Sequence, residues 1–535
     1  MHHQGLPMGG VLFLIPALCA QGLLRFEKTH SINKGFYSLP SILLTLAMIY
    51  LCRIKNPEQL KQCKPGELGR IIGLDRVPEV KCLRRKISQL SDQNAMQELN
   101  RQLLEKWLPA PEKEQLILYT DGHVRIYNGD KANLTSKYVS RQKLCLAGTT
   151  DFWLNDTQGQ PLMVCIGELS EKLQHVILSD MVPELINLPA LIQARENNER
   201  LPSQTRQPVC TLVFDREAYQ PSFFWDLWEK YSIAVITYRK FVKDKWETQD
   251  FVKLDVNDKE SMLLCEKEVV LDGHNFREVR CLREGGHQTS IVTTNPSLSL
   301  PAIAKEMFNR WSQENYFKYM DSDYDLNHLA QYGVQAIDPD KEVVNPDYRK
   351  ISNQIKKEKE KLGRMKAQLL KEVDLGSEES MDQFGQCLQN QTKLNQKIQR
   401  KETLIADMIE KRKPIPPRIK LAQMPEDKRY NKLKTESQLL TNTIKMICYR
   451  AETALANLLH PAFKRAEHEK RMIIKQIIQS HADIVPDSNQ KTLTITLHGM
   501  ATPRFNQAVE SILETLNNSN TLFPETDLKM IFKLI

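Results

Sequence analysis

The stretch Cys210-Thr211-Leu212-Val213-Phe214-Asp215 decides how the middle of the chain folds. Uncharged residues, several of them bulky or β-branched, run up to a single acid, which is the pattern of a buried strand with a polar end. A helical segment from Phe223 to Tyr231 follows, and a second strand-type run covers Ile233 to Tyr238. Strand, helix and strand in this order predict an α/β fold with a mostly parallel sheet flanked by helices.

Further β-type runs surround this stretch and are separated by Gly, Asn and Asp, which interrupt strands. Residues 245–295 show an all-β pattern, and Pro301–Met320 is predicted to form one helix. The upstream runs are Leu116–Tyr119, Val124–Tyr127, Leu144–Leu146, Phe152–Leu154 and Leu162–Ile166.

Residues 1–110 are predicted to be helical, because the period-two alternation of strands is absent. A helix ending at Gly73 and a second one beginning at Pro78 have the spacing of a helix-turn-helix that binds DNA. An amphipathic hairpin with a solvated basic side explains the same pattern, and both interpretations stay open. The cations of the second helix that are predicted to lie on its outer face are Lys81, Arg84, Arg85 and Lys86.

The C-terminal part is predicted to be mainly helical. Residues 345–420 carry an excess of Lys and Arg, and apolar residues recur there every seven positions, as at Ile355 and Leu362. This pattern predicts two antiparallel helices broken near Gly376. Residues 430–535 are predicted to be mostly helical, with one strand at Thr492–Leu497.

Composition narrows the class of protein. The chain has 535 residues, of which 41% are hydrophobic and 26% charged, so fibrous and fully disordered proteins are excluded. Its net charge of +8 is compatible with a polyanionic partner without requiring one. The 11 cysteines form no C-x-x-C pair, which argues against a zinc ribbon and favours a reducing cytosol. The apolar run Ile42–Cys52 is too short to span a bilayer, so we expect a buried helix and no membrane segment.

Three acids occupy positions where a parallel sheet builds sites: Asp121, Asp215 and Glu314. An acid at the end of a buried strand points into the crevice at the edge of the sheet. Three carboxylates meeting there would repel one another unless divalent cations neutralised them, and oxygen ligands suit Mg²⁺ or Mn²⁺. Two such ions are the usual means of phosphodiester chemistry.

Each acid also has a purely structural interpretation from spacing alone. The alternatives are a type I′ turn at Asp121-Gly122, an ion pair with Arg216 or a cap for Asp215, and a helical i,i+4 pair with Arg310 or Lys318 for Glu314.

Several segments resemble DDE transposases, and most closely those of bacterial insertion sequences. The Arg-Trp-x-x-Glu-x-x-Phe signature of their third acid is present at Arg310, Trp311, Glu314 and Phe317. The chain departs from that pattern at Met307, where the family usually has Tyr, and at Asp321, where it often has Lys; these two positions contact the DNA end in the family. The other similar segments are Ile291–Asn295, Leu300–Ala304, Thr211–Glu217 for the second acid and Asp121–Arg125 for the first.

The resemblance implies an architecture and a set of ligands. It implies an RNase H-like catalytic core at residues 111–330 with a β-rich insertion at about 245–290. A helical N-terminal region at 1–110, a basic helical hairpin at 345–420 and a mostly helical region at 430–535 would flank this core. Asp121, Asp215 and Glu314 would be the catalytic residues and would bind Mg²⁺ or Mn²⁺.

The resemblance also implies partners. The substrate would be double-stranded DNA, namely the terminal repeats of the element and the target, held by a homodimer in the bacterial cytoplasm with no membrane. The alternative is a catalytically inactive, transposase-derived protein that still binds DNA. The cations expected to contact DNA are Arg310, Lys318, Lys81, Arg84, Arg85, Arg239 and Lys240, although a solvated loop explains Arg239 and Lys240 equally well.

Two further residues near the acids are expected to have structural roles. His123 lies two positions after Asp121 on the same face of a strand, and we expect a structural histidine rather than a group that supports a metal ligand. Trp311 is expected to lie in the core rather than to stack on a base.

Overall fold

The computed structural model describes residues 3–108, 115–129, 132–139, 142–199, 201, 206–257, 260–327, 333–375, 381–459 and 467–535. The chain folds as two compact units. Unit 1 consists of Met1–Gly129, Thr135–Gly333 and Lys434–Ile535, and unit 2 consists of Asp130–Leu134 and Val334–Leu433. The predicted N-terminal region and most of the predicted catalytic and C-terminal regions therefore share unit 1, while the predicted hairpin at 345–420 belongs to unit 2.

The strands, in chain order, are β1 (His3–Leu6), β2 (Ile117–Ile126), β3 (Ser136–Val139), β4 (Leu144–Asn155), β5 (Pro161–Glu168), β6 (Cys210–Phe214), β7 (Ile233–Tyr238), β8 (Val252–Asn257), β9 (Glu260–Leu271), β10 (His274–Leu282), β11 (Gln288–Thr293), β12 (Val334–Gln335), β13 (Glu342–Val344), β14 (Arg418–Lys420), β15 (Lys432–Leu433), β16 (Ala482–Asp487), β17 (Thr492–Leu497) and β18 (Lys529–Leu534).

The α-helices are α1 (Ile15–Gln21), α2 (Leu39–Leu51), α3 (Pro65–Ile71), α4 (Val80–Ser91), α5 (Met96–Trp107), α6 (Leu173–Val176), α7 (Val182–Ile186), α8 (Pro189–Glu199), α9 (Pro221–Tyr231), α10 (Leu300–Asn309), α11 (Trp311–Tyr324), α12 (Pro346–Leu375), α13 (Met381–Arg412), α14 (Glu436–Leu458), α15 (Glu467–Gln479) and α16 (Pro503–Asn518).

The main sheet of unit 1 has the spatial order β5-β4-β2-β6-β7-β11-β10-β9-β8, and β3 also pairs with β4. Strands β5, β4 and β2 pair antiparallel, whereas β2, β6 and β7 pair parallel. The prediction of a strand–helix–strand unit at Cys210–Tyr238 is confirmed, since β6 and β7 are parallel and α9 connects them. Strands β8 to β11 form an antiparallel extension beyond β7, so the all-β pattern of residues 245–295 is also confirmed.

Strand β2 passes straight through Asp121-Gly122, so the turn interpretation of this dipeptide is wrong. Asp121 and Gly122 lie opposite Trp153 and Phe152 of β4 in an unbroken antiparallel register. Glycine tolerates an extended backbone, and pairing along the whole of β4 stabilises the strand where the local sequence favours a turn.

The single helix predicted for Pro301–Met320 is in fact two helices, α10 and α11. Helix α10 begins at Leu300, where the Ser299 hydroxyl accepts a hydrogen bond from the Ala302 N–H (3.4 Å). It ends at Asn309, and Arg310 is the junction with α11. The prediction of one continuous helix is therefore wrong, and the break lies at Arg310.

A second sheet in unit 1 joins the two ends of the described chain. It has the order β1-β16-β17-β18, with β1 and β16 antiparallel and β17 and β18 parallel. The predicted strand Thr492–Leu497 is confirmed as β17, whereas the helical predictions for 1–110 and 430–535 missed β1, β16 and β18. Helix α2 is buried along its whole length, as expected for Ile42–Cys52.

No single helix in the described part of the chain is long and apolar enough to cross a membrane. One sharply bent pair, Leu173–Ile186 with Pro189–Asn198, passes the same test of length and composition.

Unit 2 is built on the pair α12 and α13, as the heptad spacing predicts. Ile355, Ile398 and Ile405 are buried between these helices. Short strands close the base of the unit, where β12 pairs with β15 and β13 pairs with β14. The predicted break near Gly376 lies outside the described residues.

Candidate active site

One face of β2 carries the polar residues of the site. Tyr119, Asp121, His123 and Arg125 alternate along the strand and therefore point the same way. Each has a different neighbour: the Tyr119 hydroxyl donates to α10, the His123 ring stacks on α11, and Arg125 pairs with β4 and donates to α14. The site is centred on Asp121, whose side chain is 24% exposed.

Asp121 on β2 and Asp215 directly after β6 occupy equivalent positions along two adjacent parallel strands. Tyr119 of β2 pairs with Val213 of β6, and the two acids each stand two residues further along. Asp215 directly follows β6 and also accepts a hydrogen bond from the Arg216 N–H through Oδ1 (2.7 Å), so the capping alternative holds for it. A cap and a place at the site are compatible, because Oδ2 is a second acceptor.

Arg310, at the junction of α10 and α11, links Glu314 to Asp121 by an ion pair with each acid. Arg310 donates through Nη1 to Asp121 Oδ2 (3.0 Å) and through Nη2 to Glu314 Oε1 (3.4 Å). The guanidinium is 12% exposed, against 24% for Asp121 and 51% for Glu314. The i,i+4 pair predicted for Arg310 and Glu314 is therefore present, but it is one arm of a bridge between two acids.

Electrostatics at Asp121 favour a bound cation. Burial, together with the charges of Glu217 and Asp215, raises the pKa of Asp121 to about 6, although Arg310 and the Gly122 N–H act in the opposite direction. Arg310 thus supplies the positive charge that these carboxylates need in the absence of another cation.

Helices α10 and α11 are tied to β2 by buried hydrogen bonds on both sides of Arg310. The Tyr119 hydroxyl donates to Glu306 Oε2 on α10 (2.7 Å). On α11, Gln313 is fully buried, and its Nε2 approaches Asn155 Oδ1 (2.8 Å) and the carbonyls of Trp153 (3.3 Å) and Tyr119 (3.4 Å). Sequence reasoning missed these groups; the only available signal was that Gln313 precedes Glu314.

Within the described ranges, no group of three or more His, Cys, Asp or Glu side chains is placed to hold a metal ion. Asp121 and Glu314 instead share Arg310. The donors themselves are carboxylate oxygens, one of them largely buried, and this set matches the preference of Mg²⁺ and Mn²⁺.

The cations predicted to contact DNA have different surroundings. Lys318 is exposed one turn after Glu314, and Lys81 and Arg85 are exposed on α4. Arg84 pairs with Glu58, and Arg239 pairs with buried Glu278. The prediction that Lys86 lies on the outer face of α4 is wrong. Its side chain is buried (6% exposed) and donates to the Asn33 carbonyl (3.0 Å).

Three other residues near the signature are now placed. Trp311 is 58% exposed, so the prediction that it lies in the core is wrong. His123 is buried against Phe317 and hydrogen-bonded to Asn327 (2.7 Å), which agrees with a structural histidine. Met307 packs in a core cluster with Tyr119 and is 1% exposed, so it offers no surface to a DNA end.

Comparison with known proteins identifies one family. A family model described as "Transposase protein" matches residues 1–535, the whole chain. No curated protein and no solved structure matches the chain. The chain therefore belongs to this family of transposases.

Proposed function

We propose that the chain is a DDE-type transposase with an RNase H-like core, in which Asp121, Asp215 and Glu314 bind Mg²⁺ or Mn²⁺. Its reaction would be cleavage at the ends of its element and strand transfer of the freed 3′-hydroxyl into target DNA. The observations that carry the proposal are the equivalent positions of Asp121 and Asp215 along two adjacent parallel strands and the Arg310 side chain, which links Asp121 to Glu314.

The strand order supports the RNase H-like assignment. Three antiparallel strands, β5, β4 and β2, are followed across the sheet by the parallel strands β6 and β7, and the first acid lies on the central strand β2. The antiparallel strands β8 to β11 lie between Asp215 and Glu314 in the sequence, where the resemblance implies an insertion.

The residues of the site would divide the work as follows. Asp121, Asp215 and Glu314 would hold the ions, which when bound would neutralise charge on the reacting phosphate and lower the pKa of an attacking water. Arg310 would leave the carboxylates and donate bidentately to a phosphate of the cut strand, a geometry that guanidinium groups favour. Lys318, exposed one turn after Glu314, would add a second phosphate contact.

Cleavage of supercoiled plasmid carrying the element's own ends tests the proposal. With Mg²⁺ the wild type should nick at the ends, EDTA should abolish nicking, and Glu314→Gln should reduce it at least about a hundredfold. Glu217→Gln is the matched control, since Glu217 is an exposed acid beside the site that is assigned no ligand role. Equal loss in both variants, or full activity of Glu314→Gln, would reject the assigned ligands.

The inactive DNA-binding alternative has one observation in its favour: the described acids form no ready metal cluster, and Arg310 occupies the space between two of them. It predicts that wild type and Glu314→Gln shift the ends equally in a gel and that neither cuts them. It also predicts that Asp121→Ala leaves Mg²⁺ affinity unchanged in a titration.

A further inference from the structure

The loop after β7 lies at the same edge of the sheet as the acids. Strand β7 is parallel to β6, so the loop that begins at Arg239 leaves the sheet beside Asp215. Tyr238, the last residue of β7, lies 5.5 Å from the Arg216 guanidinium, measured to the ring centre. Burial raises the pKa of Tyr238, and both Arg310 and Asp215 are close enough to act on it.

Both ends of this loop are held by one network of charged side chains, and the centre of this network is buried. Arg239 at its start pairs with Glu278, and Glu278 accepts from Arg280 Nε (2.7 Å). Arg280 in turn donates to the Asp244 carboxylate (2.8 Å) and to its carbonyl (2.9 Å). Glu278 and Arg280 are 1% and 0% exposed, so the centre of the network is buried, whereas the Asp244 side chain at its end is 58% exposed.

Hydrogen bonds to β11 reinforce the same two anchors. The Arg239 N–H donates to the Ser290 carbonyl (2.9 Å). The Gln288 side chain accepts from the Trp246 N–H (3.0 Å) and donates to the Trp246 carbonyl (2.7 Å). The segment between the anchors is thus a short tip, Lys240-Phe241-Val242-Lys243, on a fixed base.

The tip presents an aromatic side chain to solvent. Phe241 is 84% exposed and has φ +61°, a left-handed backbone that bulky residues rarely adopt. Val242 beside it is 36% exposed. Because both ends of the tip are held, ordering it against a partner costs less conformational entropy than ordering a free loop.

The chemistry of the tip suits DNA without a fixed sequence. Lys240 and Lys243 flank the aromatic ring and can contact phosphates. The phenylalanine and valine side chains at the end of the tip have no hydrogen-bond donor or acceptor with which to read base edges. A side chain of this kind responds instead to how easily a base step opens. In a transposase the ends of the element are fixed in sequence, whereas the target is not.

We propose that the 240–243 tip binds target DNA, with Phe241 inserted at a base step and the two lysines on the flanking phosphates. The proposal rests on the proposed function, since it needs strand transfer at the acids beside the loop. Insertion is easiest at pyrimidine–purine steps, which unstack readily. Phe241 would therefore bias the enzyme toward target sites that carry such a step.

Strand transfer in vitro tests this inference. Pre-cleaved duplexes of the element's ends are joined to a supercoiled target plasmid with Mg²⁺, and the insertion junctions are sequenced. The wild type should insert preferentially at pyrimidine–purine steps. Phe241→Ala should lower strand transfer about tenfold relative to end cleavage and should flatten that preference. Phe241→Trp should restore both.

Phe36→Ala is the matched control, because Phe36 is also strongly exposed (73%) but belongs to the N-terminal region. An unchanged junction pattern and yield for Phe241→Ala would overturn the proposal. Equal loss of end cleavage and strand transfer would assign the tip to the element's ends and so reject the target. Failure of the wild type to cut or join its own ends would instead reject the proposed function.

Discussion

Arg310 shows how one residue can define a site at the residue scale. It is the junction between α10 and α11, and its guanidinium bridges Asp121 and Glu314. No glycine or proline marks the junction in the sequence, so the break depends on contacts with β2 that local patterns do not encode. The signature residue was predicted, but its bridging geometry was not.

Replacing Arg310 should expose the need for a cation at the acids. In Arg310→Met, Asp121 and Glu314 lose their shared positive charge, so we expect the melting temperature without metal to fall by several degrees, about 1–2 kcal/mol in the free energy of unfolding. Mg²⁺ should stabilise the variant more than the wild type, because the ion would restore the missing charge. Thermal unfolding with Mg²⁺ and with EDTA measures this difference, and an equal response of both proteins would contradict a metal site at these acids.

Lys445 predicts a pH dependence of stability. Burial on α14 lowers its pKa to about 7, and its ammonium donates only to the Asp325 carbonyl among the hydrogen bonds described for it (3.2 Å). Because its pKa is near 10.4 in the unfolded chain, the unfolded state binds the extra proton between these values, and stability rises with pH. From pH 7 to 9 the gain should be about 2 kcal/mol, and below pH 7 this contribution should be flat.

Urea unfolding at several pH values measures that slope. Lys445→Met should remove the rise between pH 7 and 9, whereas Lys318→Met, at an exposed position, should retain it. A slope that persists in Lys445→Met would assign the dependence to another group.

At the scale of elements, the strand patterns predicted the centre of the sheet well. Phe214 and its neighbours give β6, and Ile233–Tyr238 gives β7, because buried parallel strands are continuous apolar runs. The turn interpretation of Asp121-Gly122 was wrong, because pairing with β4 outweighs the local preference of this dipeptide for a turn. The prediction for Trp311 failed as well, because the sequence of a helix does not show which of its faces stays uncovered by other elements.

Gln313 should couple helix α11 to strand β2. Gln313→Leu keeps the volume but leaves the acceptors at Tyr119, Trp153 and Asn155 without their donor, so we expect a loss of about 2–3 kcal/mol of stability. End cleavage should fall beyond what unfolding explains, because Glu314 follows directly. Urea unfolding and single-turnover cleavage, compared with exposed Asn315→Leu, separate the two effects; cleavage that merely tracks the folded fraction would contradict the coupling.

At the scale of the whole molecule, unit 2 is formed by two segments that interrupt unit 1, and the longer of them is Val334–Leu433. The chain leaves unit 1 after Gly333 and returns at Lys434, whose N–H donates to the Gly333 carbonyl (2.9 Å). The basic composition of 345–420 revealed this region in the sequence. Its boundaries follow from pairings such as β12 with β15, which join residues far apart in sequence and which a local pattern cannot show.

Replacing residues 334–433 by a short Gly-Ser linker should leave unit 1 folded, since the linker would join two residues that are already in contact. We expect cooperative unfolding with a midpoint within a few degrees of the full chain. DNA binding should weaken and depend less on salt, because the excess lysines of α12 and α13 are gone. Loss of cooperative unfolding would contradict the division into units, and an unchanged salt slope would remove unit 2 from DNA binding.

The pairing of β1 with β16 also sets the order in which the protein can mature on the ribosome. Gly5 donates to Asp483 Oδ1 (2.7 Å), a contact between residues 478 positions apart. At a synthesis rate of about 5–20 residues per second, the first strand waits roughly half a minute or longer for its partner. Unit 1 is thus completed only after β16 has been synthesised, and a nascent chain stopped before that point leaves β1 as an unpaired edge that chaperones or proteases can bind.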